Sequence, residues 1–262
     1  MRTRKLLVAI AAAAVMLALP ASGRAGLIGY WRFDNASQRG ADSSGNGLTG
    51  AFVGAPSYAA GKSGGALSFD GGDDGMYLPS FPSGLTVREV SVSCWVNVPS
   101  TGFGAWDDWW ELTAGGWIVA EIAGNNAIAT NGTPEIYTNT GVGFIEFPGP
   151  PDLRGAGWHL LTATASASAN ELKLYVDGSL WHSGTWAGSA ALTGFSVGYG
   201  RTRNGRYINS VIDEVQLYDY ALPAEQVHYL LENPSKAIPE PASIALLAAG
   251  LAALARRRRR SA

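Results

Sequence analysis

The segment from Phe103 to Trp117 holds the densest set of side chains that could recognise a ligand. It contains four of the nine tryptophans of the chain, beside three carboxylates. Indole faces stack on sugar rings, and carboxylates accept hydrogen bonds from hydroxyl groups. The alternative is that the tryptophans pack in the core, where large aromatic side chains are commonly found. The composition predicts a glycan-binding patch made of Trp106, Asp107, Asp108, Trp109, Trp110, Glu111 and Trp117.

Patterns that would indicate a reaction centre are not evident in the sequence. A retaining glycosidase needs two carboxylates close together on one face. Strand alternation would send the adjacent Asp213 and Glu214 to opposite faces, with Asp213 on the apolar one. The three histidines, at positions 159, 182 and 228, are scattered. We therefore predict no catalytic residue, although a hydrolase stays an alternative because carboxylates can converge from distant strands.

Short alternating stretches separated by glycine-rich turns make up the middle of the chain and predict an antiparallel sandwich or barrel. The dipeptide Asp177-Gly178 lies between two of them and predicts a two-residue hairpin. The lone Cys94 shares the parity of the valines around it, so we expect it to be buried. Residues 223–231 look helical, with a proline in the first turn and one apolar stripe.

These pieces, in this order, resemble the laminin-G-like (concanavalin A-like lectin/glucanase) jelly roll of bacterial secreted proteins. The resemblance implies an all-β domain over residues 26–232, built as a two-sheet antiparallel jelly-roll sandwich with one short helix near its end. It also implies binding to a glycan or a surface protein; a purely structural matrix protein, or a hydrolase or lyase of the same fold, is the alternative. The motifs that carry it are Leu27–Asp34, Asp42–Gly47, Gly64–Gly71, Val92–Trp95, Trp158–His159, Leu174–Gly178 and Ile212–Leu222.

A structural calcium ion is the cofactor that the sequence suggests. Asp42 and Asn46 lie in a glycine-rich turn whose carbonyl groups could join a carboxylate around a hard cation. In jelly rolls of this type the closing strand runs near the opening one, so the resemblance adds Asp213, and Asp34 is a further candidate. The alternatives are that Asp42 and Asn46 only cap their turn, and that Asp213 is paired within the protein.

The end of the chain predicts a targeting segment over residues 239–262, after a linker at 233–238. An apolar run at 242–255 follows a Pro-Glu-Pro step and predicts a separate hydrophobic helix that enters the inner membrane. The arginines after it stay cytoplasmic. This order resembles the PEP-CTERM sorting signal of Gram-negative bacteria and implies an exosortase, a membrane transpeptidase, as partner. A plain C-terminal anchor is the alternative. The residues concerned are Pro239, Glu240, Pro241, Arg256, Arg257, Arg258, Arg259 and Arg260.

The beginning of the chain predicts a secretory signal peptide over residues 1–25, with small residues that allow cleavage after Gly23 or Ala25. Nine of the 19 basic residues and one of the 21 acidic residues lie outside 26–238, which leaves 10 basic against 20 acidic residues there. Such an acidic domain is a poor partner for nucleic acid. We therefore expect an exported protein of the cell surface or the exopolysaccharide matrix of a Gram-negative-type bacterium.

Overall fold

The structure is a computed structural model, and it describes most of the chain between the two predicted targeting segments. Within the described residues there are sixteen strands and one helix. The predicted signal peptide, the apolar run and the arginine block lie outside them. The described residues are 26–79, 81, 85–102, 106–113, 117–122, 133–138, 152–186, 188, 190–200 and 205–239.

The strands are short, as the frequent turns in the sequence predict, and the helix follows the last of them. In chain order they are β1 Leu27–Trp31, β2 Ala51–Val53, β3 Ser57–Ala60, β4 Gly65–Asp70, β5 Gly75–Tyr77, β6 Thr86–Val87, β7 Glu89–Asn97, β8 Asp108–Thr113, β9 Trp117–Ile122, β10 Pro134–Thr138, β11 Trp158–Ser166, β12 Glu171–Val176, β13 Ser179–Gly184, β14 Ala190–Ala191, β15 Gly194–Val197, β16 Asn209–Tyr218 and the helix α1 Ala224–Glu232.

Two antiparallel sheets form the body of the domain. The first has eight strands. Seven of them lie in the order β13-β12-β11-β7-β16-β4-β3, and β1 pairs with the same edge of β16 as β4 does, further along that strand. The second has six strands in the order β10-β9-β8-β15-β5-β2, and β6 pairs with β14 in a small third sheet. This confirms the predicted two-sheet jelly-roll sandwich, whose opening and closing strands are neighbours.

The core lies between the two sheets, because each strand turns alternate side chains inward. The rings of Trp31 from β1 and Phe195 from β15 stack across the layers with centroids 5.3 Å apart. Cys94 is buried in the same cluster, as predicted. Asp177 and Gly178 both have positive φ values, 48° and 75°, which is the backbone that a two-residue hairpin turn requires.

The helix α1 covers part of the outer face of the first sheet. It begins after Pro223, as predicted, and buries Val227 and Leu230. These side chains join a second apolar cluster with Trp95 and Tyr218. Within the described ranges, no helix is long and apolar enough to cross a membrane.

The predicted linker at residues 233–238 is bound to the domain instead. Ile238 is buried in the same cluster as α1, and its backbone N–H donates to the Tyr218 hydroxyl at 3.2 Å. Gln216 Nε2 donates to the Lys236 carbonyl at 3.3 Å. The apolar Ile238 extends the cover that α1 provides, so the folded body reaches to the residue before Pro239.

Candidate ligand-binding site

A β-bulge in β8 decides which side chains of the predicted patch face the core. Trp110 pairs with Ala120, but Asp108 pairs with Glu121, so β8 contains one residue more than β9 at this point. The extra residue is Trp109, and both tryptophans belong to the core cluster. The bulge therefore places Asp108 on the outer face of the second sheet.

Four buried carboxylates share that outer face, and we call Asp108, Glu111, Glu121 and Glu135 the acidic face. Glu121 of β9 is paired with Asp108 on one side and with Glu135 of β10 on the other. The Cβ atoms of directly opposed residues lie about 4.5–5.5 Å apart. Each of the four residues is at most 3% exposed. Strands that are far apart along the chain thus bring carboxylates together, without a local sequence motif.

An exposed tryptophan lies at the edge of the acidic face. Trp106 is 38% exposed and has a φ of 63°, in the left-handed region that only glycine adopts without strain. The Arg206 guanidinium carbon lies 5.5 Å from the centre of its ring, within the range of a cation–π contact. Arg206 Nη1 also donates to Glu121 Oε2 at 3.2 Å. We call Trp106, Asp107 and Arg206 the Trp106 rim.

Burial corrects the predicted glycan patch. Trp109 and Trp110 are 0% and 1% exposed, and an indole inside the core cannot stack on a sugar in solution. Their part in the patch is therefore wrong, and the alternative of core packing holds. Asp108 and Glu111 are fully buried in the acidic face. Trp117 begins β9, and its side chain lies outside the described residues.

The turn after β1 is held by the Asp42 carboxylate. That carboxylate accepts hydrogen bonds from the backbone N–H groups of Tyr30, Ser44 and Leu48 at 2.8–3.0 Å and from the Ser44 hydroxyl at 2.8 Å. Burial by itself raises the pKa of Asp42, but these hydrogen bonds outweigh it and hold the pKa below its usual value. The structure therefore has the side-chain-capped turn that was the alternative to a calcium site.

The other predicted calcium ligands are also engaged by the protein. Asn46 Nδ2 donates to the carbonyl groups of residues 27 and 28 at 2.9 Å. Asp34 accepts the Gly65 N–H at 3.0 Å and lies 2.8 Å from Arg32, and Asp213 accepts the Ser63 N–H at 3.1 Å. In the described part of the chain, these carboxylates do not come within 4.8 Å of one another as a group. The residues present do not fit the predicted calcium site.

A second bulge, in β16, changes the faces of Asp213 and Glu214. Between Asp213 and Gln216 the strand β16 advances three residues while β7 advances two, and Glu214 has a φ of 52°. Val215 and Leu217 face the core. Asp213 therefore lies on the outer face with Glu214, and the predictions of opposite faces and of an apolar face for Asp213 are wrong.

The Asp213–Glu214 pair is buried against the first strand. Burial raises the pKa of Asp213 to about 7 and that of Glu214 to about 8. The Tyr30 hydroxyl donates to Glu214 Oε2, while Arg32 Nε lies 3.7 Å from Glu214 Oε1. Among the described residues, Arg32 is the one cation near these two carboxyl groups, which favours their protonated forms.

Three carboxylates in the turn between β4 and β5 lie within 4.8 Å of one another, and they are Asp70, Asp73 and Asp74. Asp74 Oδ1 accepts the Ala55 N–H at 2.6 Å, and Asp70 Oδ1 accepts the Gly72 N–H at 2.8 Å. Asp70 and Asp73 are exposed to solvent. The hydrogen bonds of the turn account for the placement of Asp70 and Asp74.

Family models identify this architecture. The model described as concanavalin A-like lectin/glucanases superfamily matches residues 70–228, more than half of the chain. The chain belongs to this superfamily. In this domain, the outer face of the second sheet and the Trp106 rim place carboxylates beside an exposed indole.

A second family model, the PEP-CTERM protein-sorting motif, matches residues 237–260. The motif confirms the resemblance seen at the end of the sequence. It indicates export and sorting to the cell envelope or surface, with processing by an exosortase.

Solved structures with the same fold include binding domains. Domain 4 of AbnA, a GH43 extracellular arabinanase from Geobacillus stearothermophilus solved with arabinotriose, is 23% identical with a TM-score of 0.61, over 79% of this chain and 99% of that one. The receptor-binding domain of botulinum neurotoxin C/D mosaic serotype is 15% identical, TM-score 0.58, over 79% and 51%. The binding domain of Paraclostridial Mosquitocidal Protein 1 is 14% identical, TM-score 0.54, over 78% and 51%.

These similarities confirm that the domain has the concanavalin A-like fold. The chain spans about half the length of each of the two toxin domains. Among curated proteins, none matches this sequence.

Sequence reasoning missed Arg206, Glu121 and Glu135. Arg206 reaches Trp106 from a segment 100 residues away, and the spacing along the chain gives no indication of that contact. The two glutamates do carry an indication, since each stands alone in a short apolar stretch. A charged residue at an alternating position of such a strand marks the face that is turned away from the core.

Proposed function

We propose that this exported domain is a non-catalytic binding module that recognises a glycan at the Trp106 rim. The observation that carries the proposal is the exposed Trp106 indole, fixed by Arg206 beside a face of buried carboxylates. An exposed aromatic ring in a fixed orientation offers a flat apolar surface for a sugar ring. The half-exposed Asp107 next to it offers a hydrogen-bond acceptor for hydroxyl groups.

The strained backbone of Trp106 supports a functional role for this residue. A non-glycine residue in the left-handed region costs of order 1–3 kcal/mol and persists where the surrounding structure fixes it. Here Arg206 supplies the fixing contact, because its other partner, Glu121, is 1% exposed and cannot move freely. The arrangement holds the ring in place before any ligand arrives, which lowers the cost of ordering it on binding.

The structural neighbours are consistent with this role. The arabinanase domain was solved with a bound arabinotriose, and the toxin domains are named as receptor-binding and binding domains. Their identities to this chain are too low to transfer a ligand. They support the choice of a binding function over a purely structural one.

A glycan array with the protein purified after export tests the proposal. We expect binding to neutral, hydroxyl-rich polysaccharides, and we expect Trp106→Ala to weaken it at least tenfold, equivalent to about 1.4 kcal/mol. Leu180→Ala is the matched control, because Leu180 is 52% exposed on β13, in the first sheet. Equal binding by the two variants, or no binding to any glycan by the wild type, would refute the glycan proposal. The second result would favour a surface protein as ligand or a structural matrix role.

A glycan-active enzyme is the second candidate, and a specific feature favours it. Glu121 is directly opposite both Asp108 and Glu135, and paired carboxylates about 5–5.5 Å apart are the arrangement of retaining glycosidases. Two features weigh against it. All three residues are buried, and Glu121 already forms an ion pair with Arg206.

Incubation with arabinan, β-glucans and exopolysaccharide, followed by measurement of reducing ends, separates the two candidates. The binding proposal expects no release above that of a Glu121→Gln and Glu135→Gln double variant. Release by the wild type that this double variant loses would establish the enzyme.

A further inference from the structure

The carboxylate of Asp219 lies beside the backbone nitrogen of Gly26, the residue before β1. The Gly26 backbone nitrogen donates to Asp219 Oδ1 at 2.5 Å, and the Asp219 N–H donates to the Gly26 carbonyl at 3.1 Å. The next residue, Leu27, is paired with Tyr218 in the sheet. Gly26 is therefore bound at both its nitrogen and its oxygen, at the end of β16.

The Asp219 carboxylate has no cationic side-chain partner in the part of the chain that the structure describes. This carboxylate is partly shielded from water. Burial raises the pKa of Asp219, and the Gly26 N–H opposes this in part. A half-buried carboxylate of this kind is stabilised by a positive charge at its hydrogen-bond donor.

We propose that the leader is removed between Ala25 and Gly26, and that Asp219 binds the α-ammonium group created there. The sequence leaves two cleavage positions open, after Gly23 and after Ala25. Both have small residues at the two positions that such a protease reads. The cut after Ala25 places the new positive charge on the nitrogen that already contacts Asp219. The cut after Gly23 would leave that nitrogen as a neutral amide.

The chemical step is hydrolysis by the protease that removes secretory leaders, with water as the co-reactant. The bond between the Ala25 carbonyl carbon and the Gly26 nitrogen breaks. The water oxygen passes to Ala25, which leaves as a carboxylate, and both water protons pass to the Gly26 nitrogen. The amide becomes an ammonium, and the hydrogen bond to Asp219 becomes an ion pair that fastens β1 to β16.

Sequencing of the amino terminus of the exported protein, together with its intact mass, tests the cleavage position. We expect Gly26 as the first residue. A chain that begins with Arg24 would overturn the proposal. This result does not depend on what the Trp106 rim binds.

The melting temperature of the exported protein between pH 7 and pH 9.5 tests the ion pair. An α-amino group has an ordinary pKa of about 7.7–8.0, and Asp219 raises it in the folded state. Its contribution is therefore present below pH 8 and lost as the pH rises through the folded value. We expect a fall of about 2–4 °C in the wild type, and a smaller one in Asp219→Asn.

The matched control is the same folded domain with an uncharged amide nitrogen at residue 26. A variant whose leader is cut after Gly23 retains Arg24 and Ala25. We expect its melting temperature to fall with pH as little as that of Asp219→Asn. The other titratable side chain that faces Asp219 in the described chain is Tyr220, whose pKa burial raises to about 12. It therefore stays neutral over this range. Identical pH profiles for the wild type and Asp219→Asn would contradict the ion pair.

Discussion

Two of the regions that carry carboxylates in this domain differ in what they present to solvent. In the region around the first strand, Asp42 and Asp213 accept hydrogen bonds from backbone N–H groups of the domain itself. At the other region, the Trp106 rim, a 38% exposed indole lies against Arg206. The first region is closed by its own polypeptide, and the second presents a fixed aromatic ring to solvent.

The difference distinguishes side chains that stabilise the fold from those that contact a ligand in the proposed function. Substitutions in the closed region remove several partly buried hydrogen bonds at once, so they cost folding free energy. Substitutions at the rim remove exposed surface, so under the proposed function we expect them to weaken binding while the fold tolerates them. The role of an acidic residue in this chain therefore becomes clear only when the hydrogen-bond and ion-pair partners of its side chain are known.

The largest expected effect is the loss of Asp42. The change Asp42→Ala leaves three backbone N–H groups and a hydroxyl without their acceptor, and we expect it to lower the free energy of unfolding by about 2–4 kcal/mol. Urea unfolding measures this. Asp152→Ala is the control, because Asp152 pairs with Arg154 on the surface and surface pairs contribute about 0–1 kcal/mol. Similar losses of unfolding free energy in Asp42→Ala and Asp152→Ala would contradict the stabilising role of the Asp42 hydrogen bonds.

A smaller effect is expected from pH. The folded state holds protons on Asp213 and Glu214 up to about pH 7 and 8, whereas the unfolded chain releases them near pH 4. The folded state thus binds more protons, and the free energy of unfolding falls as the pH rises from 4 to 8. We expect a loss of about 1–3 kcal/mol between pH 5 and pH 8 in urea unfolding.

Glu214→Gln reduces this pH dependence, because glutamine is neutral at every pH and keeps an acceptor for the Tyr30 hydroxyl. Glu171→Gln is the control, since Glu171 is only partly buried and pairs with Lys173 near the surface. A slope in Glu214→Gln as steep as that of the wild type would show that burial of this pair does not govern the pH dependence.

The smallest expected effect is a gain in stability at the rim. Trp106→Gly relieves the left-handed backbone, and we expect it to be more stable than Trp106→Ala by about 0.5–1 kcal/mol. Both variants lose the indole, so both should bind glycan equally weakly. Thermal unfolding measures the difference. A glycine variant less stable than the alanine variant would show that the backbone strain is not located at this residue.

The periodicity and turn residues predicted an antiparallel sandwich or barrel, the hairpin at Asp177-Gly178, the burial of Cys94 and the position of α1, and the family resemblance narrowed the fold to a jelly roll. These features depend on local periodicity and turn chemistry, which are legible in the sequence. The family motifs added the pairing of the first and last strands.

The sites were less predictable, and two bulges explain most of the errors. One extra residue in β8 turns Asp108 to the outer face, and one in β16 places Asp213 beside Glu214. Strict alternation cannot foresee either insertion, because a bulge is fixed by the pairing of distant strands. Arg206 was missed for the same reason, since its contacts with Trp106 and Glu121 arise only after the sheets form.

The long strand β16 connects two distant ends of the domain. The chain enters it just after Arg206 and leaves it at Tyr218, beside Gly26 and Ile238, and ten extended residues cover roughly 33 Å. Gly26 and Ile238, near the two ends of the described body, therefore lie together at the end of β16 that is far from Arg206. A ligand at the Trp106 rim would therefore contact the domain at the end opposite to the two places where the folded body begins and ends.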